Sequence, residues 1–150
     1  MSADMKGRGK DLTVEAPRSP HANMGGFVII ARTIDKCRAL LWGNIGEYHF
    51  DCPLDNMLFG LKGIKGDDFK QFVETGATDE EIVEWVKNNG VPKTEDEIKA
   101  WSEKVSNDNY STQAPEKKQW LSESAVKLGL DKDATLFDFL DADDKATFSK

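Results

Sequence analysis

Cys52 directly precedes Pro53, and His49 lies three residues before the cysteine. Proline in that position suits the first residue of a helix, which leaves the thiol at the cap, where the positive end of the helix dipole lowers a thiol pKa. An imidazole three residues upstream can take the thiol proton or stabilise the thiolate as imidazolium. The pair therefore has the parts of a small thiol-dependent enzyme or a redox sensor. No acyl-transfer signature and no Cys-x-x-Cys surrounds it, and the commoner state of such a cysteine is packed or capping. Cys52 and His49 are the catalytic candidates, with no reaction attached to them.

Arg38 raises a different chemistry. On a helix running from Phe27 to Trp42, it falls about 80° from Ile30, between Phe27 and Ala31 in the apolar sector. Arg32, Asp35 and Lys36 lie on the opposite side. A guanidinium on a buried face requires a carboxylate, a carbonyl or a ligand anion. Internal pairing with Asp51, Asp55 or a loop carbonyl is the first expectation, and contact with a small anion the second. Arg18, on a proline-bounded arm, is the second basic residue of this reading, and the sequence leaves open its convergence with Arg38 on one pocket. The ligand-binding candidates are thus Arg18, Asp35, Arg38, Tyr48, His49, Asp51 and Asp55.

Other constellations fail on spacing. His21, His49, Cys37 and Cys52 form a two-His, two-Cys set, but structural zinc sites show two tight ligand pairs and only His49 and Cys52 are close. No metal and no cofactor is expected. Asp131, Asp133 and Thr135 lack the Gly and Glu of a calcium loop, so an acidic solvated face accounts for them and for Asp141, Asp143 and Asp144. Gly60, Gly63 and Gly66 beside Lys62 and Lys65 lack the strand and Lys-Ser/Thr pair of a phosphate loop, and read as helix-ending glycines.

These residues sit in a chain of 150 with 39% hydrophobic and 31% charged residues, an ordinary globular balance. The formal net charge of −7 argues against nucleic acid or an anionic membrane as partner. The charge is uneven, with seven Lys/Arg against four Asp/Glu in residues 1–40. That basic first quarter favours a small anion as ligand. No secretory signal or spanning segment is read, so the protein is expected in the cytoplasm with reduced thiols. Nothing in the sequence addresses the oligomeric state.

The elements follow from punctuation and period. Residues 1–10 read as a disordered tip and 11–150 as a single, mainly α domain. Asp11 to Met24 is an extended arm with Pro17 and Pro20, released by Gly25-Gly26 into the helix from Phe27 to Trp42. Ile30, Ile34, Cys37 and Leu41 form its apolar stripe. Further helices run from Pro53 to Leu61 and from Asp67 to Glu74. Thr78-Asp79-Glu80-Glu81-Ile82 and Thr94-Glu95-Asp96-Glu97-Ile98 each carry a capping box, predicting a helical hairpin at about 78–106. Ser106 to Ala114 reads as a loop. Pro115 opens a helix closed by Gly129, and Thr135 caps the last one.

Several stretches in order carry a resemblance: Pro17-Arg18-Ser19-Pro20, Asp35-Lys36-Cys37-Arg38-Ala39 and Tyr48-His49-Phe50-Asp51-Cys52-Pro53-Leu54-Asp55, followed by Glu-Ile-x-x-Trp at Glu81 and Glu97. Together they are similar to a bacterial family, domain of unknown function 5069, over roughly Asp11 to Trp101. The resemblance implies no reaction. It does imply that arm, helix and turn belong to one module. The expected function is a non-catalytic binding module for a small anionic ligand or a protein partner, with Cys52–His49 thiol chemistry as the alternative.

Overall fold

The computed structural model describes residues 9–107, 115–130 and 134–148, apart from the side chains of Lys117 and Lys118. Among them are seven helices and no strand: α1 (Ile30–Trp42), α2 (Pro53–Lys62), α3 (Gly66–Glu74), α4 (Asp79–Asn88), α5 (Glu95–Ser106), α6 (Pro115–Lys127) and α7 (Leu136–Phe148). The mainly α reading is correct. The loop expected to Ala114 and the residues Asp131 and Asp133 fall largely or wholly outside the described residues. So do residues 1–8 of the expected tip. Lys10 of that tip is anchored, donating to the Ala16 carbonyl at 3.2 Å.

Helix α1 is the axis of the fold, packing against α2, α3 and α4. Its ten residues from Ile30 to Ala39 are all buried, so it has no solvated face over that stretch. Ile30, Ile34 and Cys37 meet Leu58, Phe59, Phe69, Val73, Ile82 and Val86 in the main core. Aromatic rings extend that core, Phe59 to Phe69 at 5.2 Å and Phe69 edge-on to Trp85 at 6.2 Å. Burial on this scale is the dominant stabilising term.

The helix begins three residues later than the sequence predicts. Met24 and Phe27 close a single antiparallel bridge around Gly25-Gly26. Ile29 then adopts φ 74°, which a β-branched residue rarely does. Its fully buried side chain, packed with Val28 and Phe137, holds that conformation, as does its N–H bond to the Pro20 carbonyl at 2.9 Å. Tertiary packing here outweighs a strain of roughly 1–3 kcal/mol.

The arm expected to be extended turns at residues 12–14 and sinks Leu12, Pro17 and Pro20 into the fold. Leu12 is buried and donates its N–H to the Asn44 carbonyl at 2.9 Å. Both capping boxes form, with Thr78 accepting from the Glu81 N–H and Thr94 from the Glu97 N–H. Gly129 closes α6 in a Schellman turn, with the Leu130 N–H reaching the Ala125 carbonyl at 2.9 Å. The glycine reading needs correction at two places. Gly63 ends α2, but Gly60 lies inside that helix and Gly66 opens α3. A methyl group on Gly66 would lie 2.6 Å from Asp51 Oδ2, so a carboxylate rather than a helix stop explains that glycine.

Helices α6 and α7 build a smaller cluster from Leu121, Ala125, Leu136 and Phe139, resting on Leu54 and Met57 of α2. Phe137 faces the other way, onto Val28 and Ile29. Through Phe137, α7 is tied to the start of α1.

Candidate functional site

Since α1 is buried all round, every polar side chain on it needs an internal partner. The partners fall into two groups on its two sides. On one side, Asp35 accepts from the Arg18 backbone N–H at 2.8 Å and from its guanidinium at 3.1 Å. Arg18 also reaches Asp79 at 2.9 Å. Arg38 pairs with Asp79 at 2.7 Å and donates to the Ala77 carbonyl at 2.9 Å.

This is the internal ion pair expected for Arg38, with the carbonyl also expected, but its carboxylate is Asp79 rather than Asp51 or Asp55. Burial opposes ionisation of Asp79, yet the hydrogen bonds and charges of Arg18 and Arg38 outweigh it and hold the carboxyl below its ordinary pKa. Burial likewise works against Arg18, and Asp79 and Asp35 reverse it, raising its pKa. Both guanidiniums on which the anion expectation rests are therefore already met by carboxylates. Asp79 is acidic in the first turn of α4, next to its cap. That position, aimed back out of a helix start, was the available signal for it.

On the other side of α1, Arg32 pairs with Asp144 at 2.7 Å and lies 5.4 Å over the Tyr48 ring. Tyr48 donates its hydroxyl to Asp144 at 2.6 Å. Burial, and then Asp144, push the Tyr48 pKa upward, so it remains a phenol. Lys36 pairs with Asp55 at 3.0 Å and donates to Cys52 Sγ at 3.2 Å. Asp55, fully buried, also accepts from Thr33 Oγ1 at 2.7 Å and from the Asp51 N–H at 2.9 Å. Asp144 is thus a buried partner of α1, which corrects the reading of Asp141 to Asp144 as a solvated face. Asp141 accepts from Ser19 at 3.0 Å, and only Asp143 of the three faces the cavity described next.

Arg32 and Lys36 of these pairs line a cavity of about 620 Å³. Leu12 and Thr13 of the arm, Arg32 and Lys36 of α1, and the 46–49 turn with Cys52 make one wall. Pro53, Leu54 and Met57 come from α2. Trp120 and Leu121 of α6 and Leu136, Phe139, Leu140, Asp143, Thr147 and Phe148 of α7 complete it. The size lies within the range of small-molecule pockets, roughly 300–1,000 Å³, and the lining is mainly apolar as such pockets require.

The structure therefore divides the sequence-derived candidates. Tyr48, His49 and Cys52 line the cavity, and Asp55 and Asp51 stand behind its wall through Lys36 and the backbone. Arg18, Asp35 and Arg38 do not line it. Cys52 is the cap residue of α2 as expected, although its side chain makes no capping bond. Its partner is Lys36, and no hydrogen bond joins it to His49 among the described residues. Cys37 is buried in the main core, which pushes its thiol up to about 12. No cluster of three or more metal-ligating side chains occurs among the described residues. Arg32, Lys36, Asp144 and the α7 wall were missed. Their signal was charge on every side of a helix too apolar to be solvated.

The fold and cavity define a class: a protein helical among its described residues, in which paired cations on a buried axial helix line a mainly apolar pocket. The chain belongs to the family described as domain of unknown function (DUF5069), whose model matches residues 14–146. The match extends well past Trp101 and includes the α6–α7 wall of the cavity. No curated protein matches the chain. No helix among the described residues is long and apolar enough to cross a membrane.

Proposed function

We propose that this protein is a non-catalytic binding module whose small ligand occupies the cavity between α1, α2, α6 and α7. The observation that carries this reading is a mainly apolar pocket of about 620 Å³ lined by Arg32 and Lys36, each paired with a carboxylate, Asp144 and Asp55. Apolar walls supply affinity through burial of the ligand body, and fixed polar groups orient its head. An anion at Arg18 or Arg38 has less support, because both arginines are engaged by Asp35 and Asp79.

Leu140 lines the pocket and is only partly buried, so a larger side chain there occupies the cavity without dismantling the core. The test is a titration with the uncharged fluorophore N-phenyl-1-naphthylamine. Saturable binding to one site is expected, weakened at least tenfold in Leu140→Trp with the urea midpoint nearly unchanged. Equal binding by the variant removes the cavity as the site. If the protein instead serves a protein partner, the exposed Trp120 at the rim is where contact is expected.

A second reading keeps thiol chemistry at Cys52, because Lys36 Nζ lies 3.2 Å from Sγ at the cavity wall. It requires a reactivity midpoint below the free thiol value of about 8.5. Iodoacetamide labelling of Cys52 across pH, in wild type and His49→Ala, measures it. A midpoint at the ordinary value leaves Cys52 as part of the wall.

A further inference from the structure

Both the Lys and the Arg that line the cavity already have a carboxylate. Arg32 is matched by Asp144 at 2.7 Å and Lys36 by Asp55 at 3.0 Å. Glu47 and Asp143 also line the cavity. A ligand bearing a full negative charge would enter an apolar space with no net positive charge to receive it, at a large desolvation cost.

The hydrogen-bonding inventory points the other way. Asp55 uses Oδ1 for Thr33 and Lys36 and Oδ2 for the Asp51 N–H. Asp144 uses Oδ1 for Tyr48 and Arg32 and Oδ2 for Arg32. Each of these carboxylates receives three donors, and Glu47 and Asp143 bring acceptors of their own to the lining. Donors are not exhausted, since an ammonium carries three N–H groups and a guanidinium five. Lys36 directs two of its own, one of them to a sulfur, and Arg32 directs two to Asp144. Donors on Arg32 and Lys36 beside the carboxylates of Glu47 and Asp143, with no net positive charge, suit a neutral polar head rather than an anion.

We infer that the cavity selects an uncharged amphiphile, an apolar body ending in an amide, ester or ketone carbonyl, over the carboxylate of the same chain. The inference rests on the cavity being the ligand site. Displacement of N-phenyl-1-naphthylamine from the intact protein by octanamide, methyl octanoate and octanoate at pH 7.5 tests it. The amide and the ester should displace at concentrations at least tenfold below octanoate. Acidification, which protonates octanoate, should narrow that gap. The double variant Glu47→Gln, Asp143→Asn should improve octanoate several-fold more than octanamide.

Octanoate binding as tightly as the amide overturns the inference and leaves the cavity reading intact. If none of the three displaces the probe, or if Leu140→Trp binds all three like wild type, the cavity reading fails and the inference falls with it.

Discussion

The two sides of α1 use the same chemistry to different ends. Arg18, Asp35, Arg38 and Asp79 form a set that joins the arm, α1 and the start of α4, with Arg38 Nε left without a partner among the described residues, and none of them lines the cavity. Arg32, Lys36, Asp55 and Asp144 are also paired, yet Arg32 and Lys36 face a cavity as well as their carboxylates. The exposure of the carboxylates differs too. Asp55 is fully buried, whereas the side chain of Asp79 is 28% exposed. A buried ion pair is weak evidence for stability, but removing one partner leaves a charge that burial penalises. The first set reads as a staple and the second as a wall that also serves a pocket.

Breaking each set at its carboxylate gives the largest contrast. Asp55→Ala strands the Lys36 ammonium and should cost about 3–5 kcal/mol in urea unfolding. Asp79→Ala leaves Arg18 with Asp35 and Arg38 with the Ala77 carbonyl, so a smaller loss of about 1–3 kcal/mol is expected. A larger loss at Asp79 would make the staple, not the wall, the more demanding of the two.

Acid sharpens the comparison on the staple side. The Asp79 carboxyl is held below its ordinary range: burial opposes this, and Arg18 and Arg38 prevail. Such a group stabilises the fold fully above its unfolded pKa of about 3.9, and that contribution is lost as pH falls through the lower folded value. The stability difference between wild type and Asp79→Asn should therefore be constant near neutrality and shrink below about pH 4. On the α7 side, the Asp138 carboxyl is also lowered, by His21 and Thr135 acting against a burial effect of opposite sign. Asp138 is half exposed and paired with an exposed histidine, so Asp138→Asn should alter the acid limb less. Chemical denaturation repeated from pH 7 to pH 3 reads both.

Much of the helical scaffold is legible in the residues, for local reasons. Thr78 with Glu81 and Thr94 with Glu97 dictate their own caps, Pro53 and Gly63 bound α2, and Gly129 with Leu130 ends α6. Local rules fail where a distant residue decides. Ile29 leaves helical geometry because the Pro20 carbonyl and Phe137 hold it, and Phe137 is 108 residues away in the chain. Arg38 was legible as misplaced, but Asp79 stands 41 residues on and is disguised as ordinary first-turn acid. The cavity was visible only at Tyr48, His49 and Cys52. Its far wall comes from α7, whose apolar residues look like any core stripe until α2 and the arm are placed opposite them.

The finest test concerns how α7 is held. Tyr48 donates to Asp144 at 2.6 Å, and its ring both covers Arg32 and stacks on Phe148 at 6.4 Å. Tyr48→Phe removes the hydroxyl and keeps the ring. Asp144 retains its bond from Arg32 at 2.7 Å, so no charge is stranded. The expected loss is that of one hydrogen bond to a charged acceptor, about 1.5–3 kcal/mol. Its distribution matters more than its size. If the Arg32–Asp144–Tyr48 contact seats α7 as the cavity wall, amide exchange should quicken across α7 and leave α4, which the staple holds, unchanged. Equal quickening of both helices would mean that the two sides of α1 open as one unit, and the contrast between staple and wall would then be one of chemistry but not of mechanics.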